Sequence, residues 1–164
     1  MNIVLVGFMG AGKTAIGKRL AARLGYRFLD TDAYIEVKEG KSIAEIFAQQ
    51  GEAYFRALET QALVRLESVS NHVIATGGGI LTTPGNLELI KKIGTSIFLN
   101  PDLDKIIERV MRNDKRPLVR TENPVETIKA LHAKRLPLYL QADLNFVPEG
   151  TQFNSILDQI IRLL

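Results

Sequence analysis

The sequence predicts an α/β fold, a five-stranded parallel sheet with helices on both faces. Three observations carry this. Short apolar runs alternate with segments of helical spacing along the chain, the pattern of strand–helix–strand units. The runs are mostly apolar at consecutive positions, as in strands covered from both sides. The length, 164 residues, suits one domain with one core, and we read residues 1–164 as that single domain.

The first strand is expected at Ile3–Val6, followed by a glycine-rich loop and a helix from Thr14 to Leu24 that stops at Gly25. Arg27–Leu29 is the second strand. Ser42-Ile43-Ala44-Glu45 is a capping box that opens a helix through Gln50. A further helix is expected from Glu52 to about Val69. Strands at His72–Ala75, Ser96–Leu99 and Leu144–Val147 complete the sheet. Asn123-Pro124-Val125-Glu126 reads as N-cap, N1 proline and acidic N3 residue, with Pro137 bending the helix that follows. Phe153, Ile156, Ile160 and Leu163 form one stripe on a core-facing terminal helix.

Composition narrows the function. With 46% hydrophobic and 24% charged residues, usage is globular, and no apolar run is long enough to span a bilayer. A strand from Asn2 to Val6 with no basic region or cleavage site ahead of it argues against a secretory signal, so a cytoplasmic protein is expected, with no membrane partner. Cysteine is absent, and His72 and His132 lie too far apart for a zinc site. A net charge of +3 and a pI of about 9.2 suggest anionic ligands and are too mild to imply nucleic acid.

In parallel sheets, ligands gather beyond the carboxyl ends of the strands. The first such loop, Gly7-Phe8-Met9-Gly10-Ala11-Gly12-Lys13-Thr14, is a complete G-x-x-x-x-G-K-[ST] phosphate loop. Its glycines let backbone N–H groups surround phosphate oxygens, and the next helix adds its positive end. Lys13 can reach the β- and γ-phosphates, and the Thr14 hydroxyl can ligate Mg²⁺. No Asp-x-x-Gly follows the third apolar run and no Asn-Lys-x-Asp follows later, which argues against a GTPase. The missing acid is sought in Asp30-Thr31-Asp32. On an extended segment the two carboxylates project to one side, one to serve Mg²⁺ through water and the other to deprotonate an acceptor hydroxyl. The bland alternative is that Asp32 caps the next helix.

Gly51-Glu52-Ala53-Tyr54-Phe55-Arg56-Ala57-Leu58-Glu59 opens a helix on which Arg56 could grip a carboxylate with its fork. Gly77-Gly78-Gly79 offers bare backbone at a strand end, and Arg135 precedes Leu136-Pro137-Leu138-Tyr139. Taken singly, each arginine is more often a surface ion-pair member.

Together these motifs closely resemble the shikimate kinases, in order and spacing over nearly the whole chain, with Arg116-Pro117-Leu118 as a further match. The resemblance implies a three-layer phosphate-loop kinase fold with strand order 2-3-1-4-5. It also implies ATP-dependent phosphorylation of the shikimate 3-hydroxyl, with ATP and shikimate as partners, Mg²⁺ as cofactor and a monomer. By residue, it implies that Gly10, Ala11, Gly12, Lys13, Thr14 and Ala15 hold the ATP phosphates. Thr14 and Asp30 would serve the metal. Asp32 would bind the acceptor hydroxyl as base, with Arg56, Gly78 and Arg135 around shikimate. Arg116 would act from a lid at about 112–123, Gln152 would lie near adenine, and the acceptor helices would span about 32–60. Two departures from the family pattern, Val119 and Leu140-Gln141, fall outside this chemistry.

Arg109, Arg112, Lys115, Arg116 and Arg120, diluted by Asp114, carry no interleaved aromatics, which disfavours nucleic acid. A lid over polyphosphate fits better than a solvated helix end. The competing functions are a gluconate-type or nucleotide kinase on the same scaffold and a non-catalytic ATP-binding module. The two acceptor-side arginines disfavour the first, and the intact Lys13, Thr14, Asp32 and Arg116 disfavour the second.

Overall fold

A computed structural model describes residues 1–112 and 122–164. The expected lid at about 112–123 and its Arg116 therefore fall almost wholly outside the described residues, as do Lys115 and Arg120.

Five strands, β1 (Ile3–Val6), β2 (Arg27–Asp30), β3 (His72–Ala75), β4 (Thr95–Leu99) and β5 (Leu144–Phe146), form one sheet in the order 2-3-1-4-5. Every pairing is parallel. The central strand β1 is buried at all four positions and splits its side chains between two cores. Val4 and Val6 face the layer made by α4 (Glu52–Leu66), α5 (Asn86–Ile93), α6 (Leu103–Arg112) and α7 (Pro124–Tyr139). Ile3 and Leu5 face α1 (Lys13–Leu24) and α8 (Phe153–Leu163). This period-two division in a run without polar residues is how a doubly covered strand reads. A third, smaller core joins α2 (Thr31–Glu39), α3 (Ile43–Gln50) and α4 through Ile35, Ile46, Phe55 and Ala62.

The expected caps are present. Gly25 ends α1 in the left-handed conformation, and Ser42 and Glu45 make the reciprocal capping box of α3. Pro137 lies inside α7, which runs on to Tyr139. Two expectations need correction. The helix α4 stops at Leu66, short of Val69. In α8 the centre of the stripe, Ile156 and Ile160, is buried, whereas Phe153 and Leu163 at its ends are 40% and 46% exposed. Phe153 is instead covered by the guanidinium of Arg19, 3.8 Å above its ring. The helix α5, bounded by Gly85 and Gly94, and the short 3₁₀ turn Ile80–Thr82 before it were not foreseen.

Candidate active site

The phosphate loop leaves the carboxyl end of β1 and enters α1 through Gly12, whose φ of 95° is left-handed and strained for any other residue. Met9, Gly10, Ala11, Gly12, Lys13, Thr14 and Ala15 line a cleft of about 350 Å³, together with Asp30, Asp32, Thr76, Gly77, Gly78 and Arg109. The predicted phosphate residues thus share one cavity with both aspartates and with Gly78. Lys13 is buried, and its ammonium donates to the Gly7 carbonyl and, at 3.0 Å, to the Phe8 carbonyl.

The Asp30–Asp32 pair is arranged differently from the expected extended segment. Asp30 ends β2, and the chain turns helical at Thr31, so Asp32 lies in the first turn of α2. The cap is Asp30, not Asp32. Its Oδ1 accepts from the backbone N–H of Asp32 at 2.9 Å and of Ala33 at 3.3 Å. Its other oxygen accepts from the Thr14 hydroxyl at 2.9 Å. Asp30 therefore joins the start of α1 to the start of α2, and leaves the Asp32 carboxylate free to face the cleft. Burial, then the neighbouring Asp30, raises the Asp32 pKa above the usual carboxylate value, while Lys13 pulls it back. Thr14 and Asp30 offer two hard oxygen donors side by side, the kind Mg²⁺ takes. No group of three or more metal-ligating side chains occurs among the described residues. An ion there would draw most of its ligands from phosphate and water, as Mg²⁺ in phosphoryl-transfer sites does.

Gly77, Gly78 and Gly79 form a bare floor beside this cleft, each under a different functional group. A Cβ on Gly77 would lie 2.8 Å from Asp32 Oδ1 and 3.0 Å from Glu59 Oε2. One on Gly78 would lie 3.6 Å from Arg135 Nη1, and one on Gly79 would lie 2.6 Å from Arg56 Nη2. The structure thus brings Asp32, Arg56 and Arg135 together over bare backbone. Tyr139, fully buried, donates its hydroxyl to the Gly78 carbonyl at 2.6 Å, and burial pushes its pKa up to about 12.

Glu59, which the motif pattern gives no role, is a further member of this site. It has no exposed surface, and its Oε1 accepts from Arg56 Nη1 at 2.8 Å. Burial drives its pKa up to about 7 against the pull of Arg56. The signal was its place three residues after Arg56, on the same helical face. Arg109, noted in the basic cluster, donates to the Gly10 carbonyl at 3.1 Å. It also lines a second cleft of about 380 Å³ with Pro148, Thr151 and His132, whose ring packs edge-on to Phe8. Gln152, the N-cap residue of α8, is exposed beside that cleft.

Residues 9–164 match the family model for shikimate kinase. The chain belongs to the shikimate kinase family. It is 44% identical to a shikimate kinase of Ruegeria pomeroyi, over 99% of this chain and 84% of that protein. It is 40% identical to a shikimate kinase of Caldanaerobacter subterraneus, over 98% of this chain and 94% of that protein. Among solved structures, a shikimate kinase from Acinetobacter baumannii in complex with shikimate superposes with a TM-score of 0.92 at 39% identity, covering 99% of this chain and 91% of that one. As a member of this family the chain is a kinase. No helix among the described residues is long and apolar enough to cross a membrane.

Proposed function

We infer that this enzyme transfers the γ-phosphoryl group of ATP to the 3-hydroxyl of shikimate, giving shikimate 3-phosphate on the route to chorismate and the aromatic amino acids. The observation that carries the reading is the meeting of two recognition sets at one place. The phosphate loop and Asp32 line the same cleft, and Asp32, Arg56 and Arg135 converge on Gly77–Gly79 beside it.

ATP lies with its phosphates against the backbone N–H groups of Gly10–Ala15, where the α1 dipole opposes their charge. Lys13 turns its ammonium to the β- and γ-phosphates; Arg116, which the resemblance assigns to the same phosphates, lies outside the described residues. Thr14 and Asp30 are the residues that would hold Mg²⁺, which would supply positive charge against the phosphates. Gln152 and the cleft at α8 take the adenine side. Arg56 and Arg135 hold the shikimate carboxylate, and its ring rests on Gly78. Asp32 accepts the 3-hydroxyl proton as the bond from that oxygen to the γ-phosphorus forms and the bond to the β–γ bridging oxygen breaks. Positioning supplies most of the acceleration, since the transfer asks little covalent chemistry of the protein. The same reading takes the enzyme as a cytoplasmic, monomeric single domain with no nucleic-acid partner.

ATP consumption measured with shikimate, with gluconate, with AMP and with no acceptor tests the assignment. Consumption is expected with shikimate and at most traces otherwise. A preference for gluconate or AMP makes this a different kinase, and binding of ATP without transfer to any acceptor makes it a binding module.

A further inference from the structure

The Arg56 fork is shared by two carboxylates of very different standing. Nη1 donates to Glu59, which is wholly buried, at 2.8 Å. Nη2 donates to Glu52, whose side chain is 65% exposed, at 3.4 Å. The guanidinium lies against Gly79, where a Cβ would fall 2.6 Å from Nη2 and 2.7 Å from Nη1, so the group is confined. Glu52, Arg56, Lys134 and Arg135 all line a cleft of about 460 Å³ between α4 and α7. A third carboxylate cannot join the fork without displacing one of the two or being repelled by both. Displacing Glu59 would leave a buried carboxylate without its cation, which is strongly unfavourable. Displacing Glu52 returns an already hydrated group to water, beside Lys134 on the wall of the same cleft.

We propose that Glu52 is an internal competitor for the substrate carboxylate, holding Arg56 Nη2 in the empty enzyme and releasing it when the acceptor binds. The inference rests on the reading that Arg56 binds that carboxylate. Glu52 thereby sets the affinity for the acceptor, and binding measured for shikimate is the net of an exchange of one carboxylate for another. The fixed partner Glu59 keeps the guanidinium in place while the mobile partner leaves.

The test is a calorimetric titration of wild type and Glu52→Gln with shikimate and with its methyl ester, which lacks the negative charge. Glu52→Gln is expected to bind shikimate about two- to five-fold more tightly, the range an exposed ion pair supports. The gain should shrink at high salt and be absent with the ester. A non-hydrolysable ATP analogue should bind both proteins equally. If charge removal in the first turn of α4 unfolds the helix, Glu52→Asp, which keeps the charge and shortens the reach to Arg56, carries the same expectation. Unchanged or weaker shikimate binding by Glu52→Gln overturns the proposal, as does an equal gain with the ester. Arg56→Lys separates the two levels. If it leaves shikimate binding unchanged, the acceptor reading itself fails; if it weakens binding while Glu52→Gln gives no gain, the exchange alone fails.

Discussion

The Tyr139 hydroxyl donates to the carbonyl of Gly78 at 2.6 Å, across sixty-one positions of chain. The contact ties the end of α7, which carries Arg135, to the glycine floor on which Asp32 and Arg56 also converge. Tyr139→Phe keeps the ring, which packs 5.1 Å from Phe98, and deletes the tie. It should cost about 1–3 kcal/mol, because the Gly78 carbonyl is left without its donor. Shikimate binding should weaken more than ATP binding. Chemical denaturation and two titrations measure this, and a phenylalanine variant of unchanged stability and affinity would show the tie to be incidental.

Asp32→Asn keeps the volume and the backbone N–H that Asp30 caps, and removes the proton acceptor. Turnover should fall about 10²–10⁴-fold, the span typical of a positioned base. Binding of an ATP analogue should persist, since the phosphate contacts come from Gly10–Ala15. Steady-state kinetics near the wild-type rate would leave Asp32 without a chemical role.

Arg135→Lys keeps the charge and loses the planar fork. A charge-assisted hydrogen bond contributes about 1.5–3 kcal/mol, so shikimate affinity should drop about 10- to 150-fold. ATP affinity should move much less. The reverse pattern, with ATP weakened and shikimate unaffected, would place Arg135 on the nucleotide side.

Glu59 gives the protein a pH signature. Burial raises its pKa from 4.5 to about 7, so the native state holds this proton more tightly than the unfolded chain does. Stability from this group is therefore complete below pH 4.5 and is lost as pH rises toward about 7. Glu59→Gln carries no titratable proton there, so its denaturation free energy should fall less steeply over that window. The slope is the readout, since the variant also loses the ion pair to Arg56 and starts from a different stability. Parallel slopes for the two proteins would contradict the assignment.

Much of this site could be read in advance because its signals are local. The phosphate loop is a contiguous pattern whose glycines are required by the backbone path itself, and the strands announce themselves as short apolar runs. What escaped depends on where the chain turns. The extended reading of Asp30–Asp32 failed by a single residue: β2 includes Asp30 and the helix starts at Thr31, so the cap is Asp30 and not, as the bland alternative had it, Asp32. Boundaries of this kind are set by competition between strand pairing, here Asp30 beside Ala75, and helix initiation, and composition does not resolve it. The helix α5 has eight residues between two glycines and no side-chain cap, so it lacks a start signal. Glu59 carries no local sign of burial, which comes from the packing of α4 against the glycine floor. Arg116 and the remainder of the expected lid lie outside the described residues.

The pairing of β1 with β3 matches Leu5, two residues before the phosphate loop, to Ala75, the residue before Thr76 and the glycine floor. Thr76 extends the match, its hydroxyl donating to the Leu5 carbonyl at 2.8 Å. On the proposed reading, the phosphate loop and the glycine floor are therefore mounted on neighbouring strands of one hydrogen-bonded sheet, about 4.8 Å apart. The sheet acts as a ruler for the reaction. The length of that span is given by strand spacing, and substitutions that tune affinity on α4 or α7 leave it untouched.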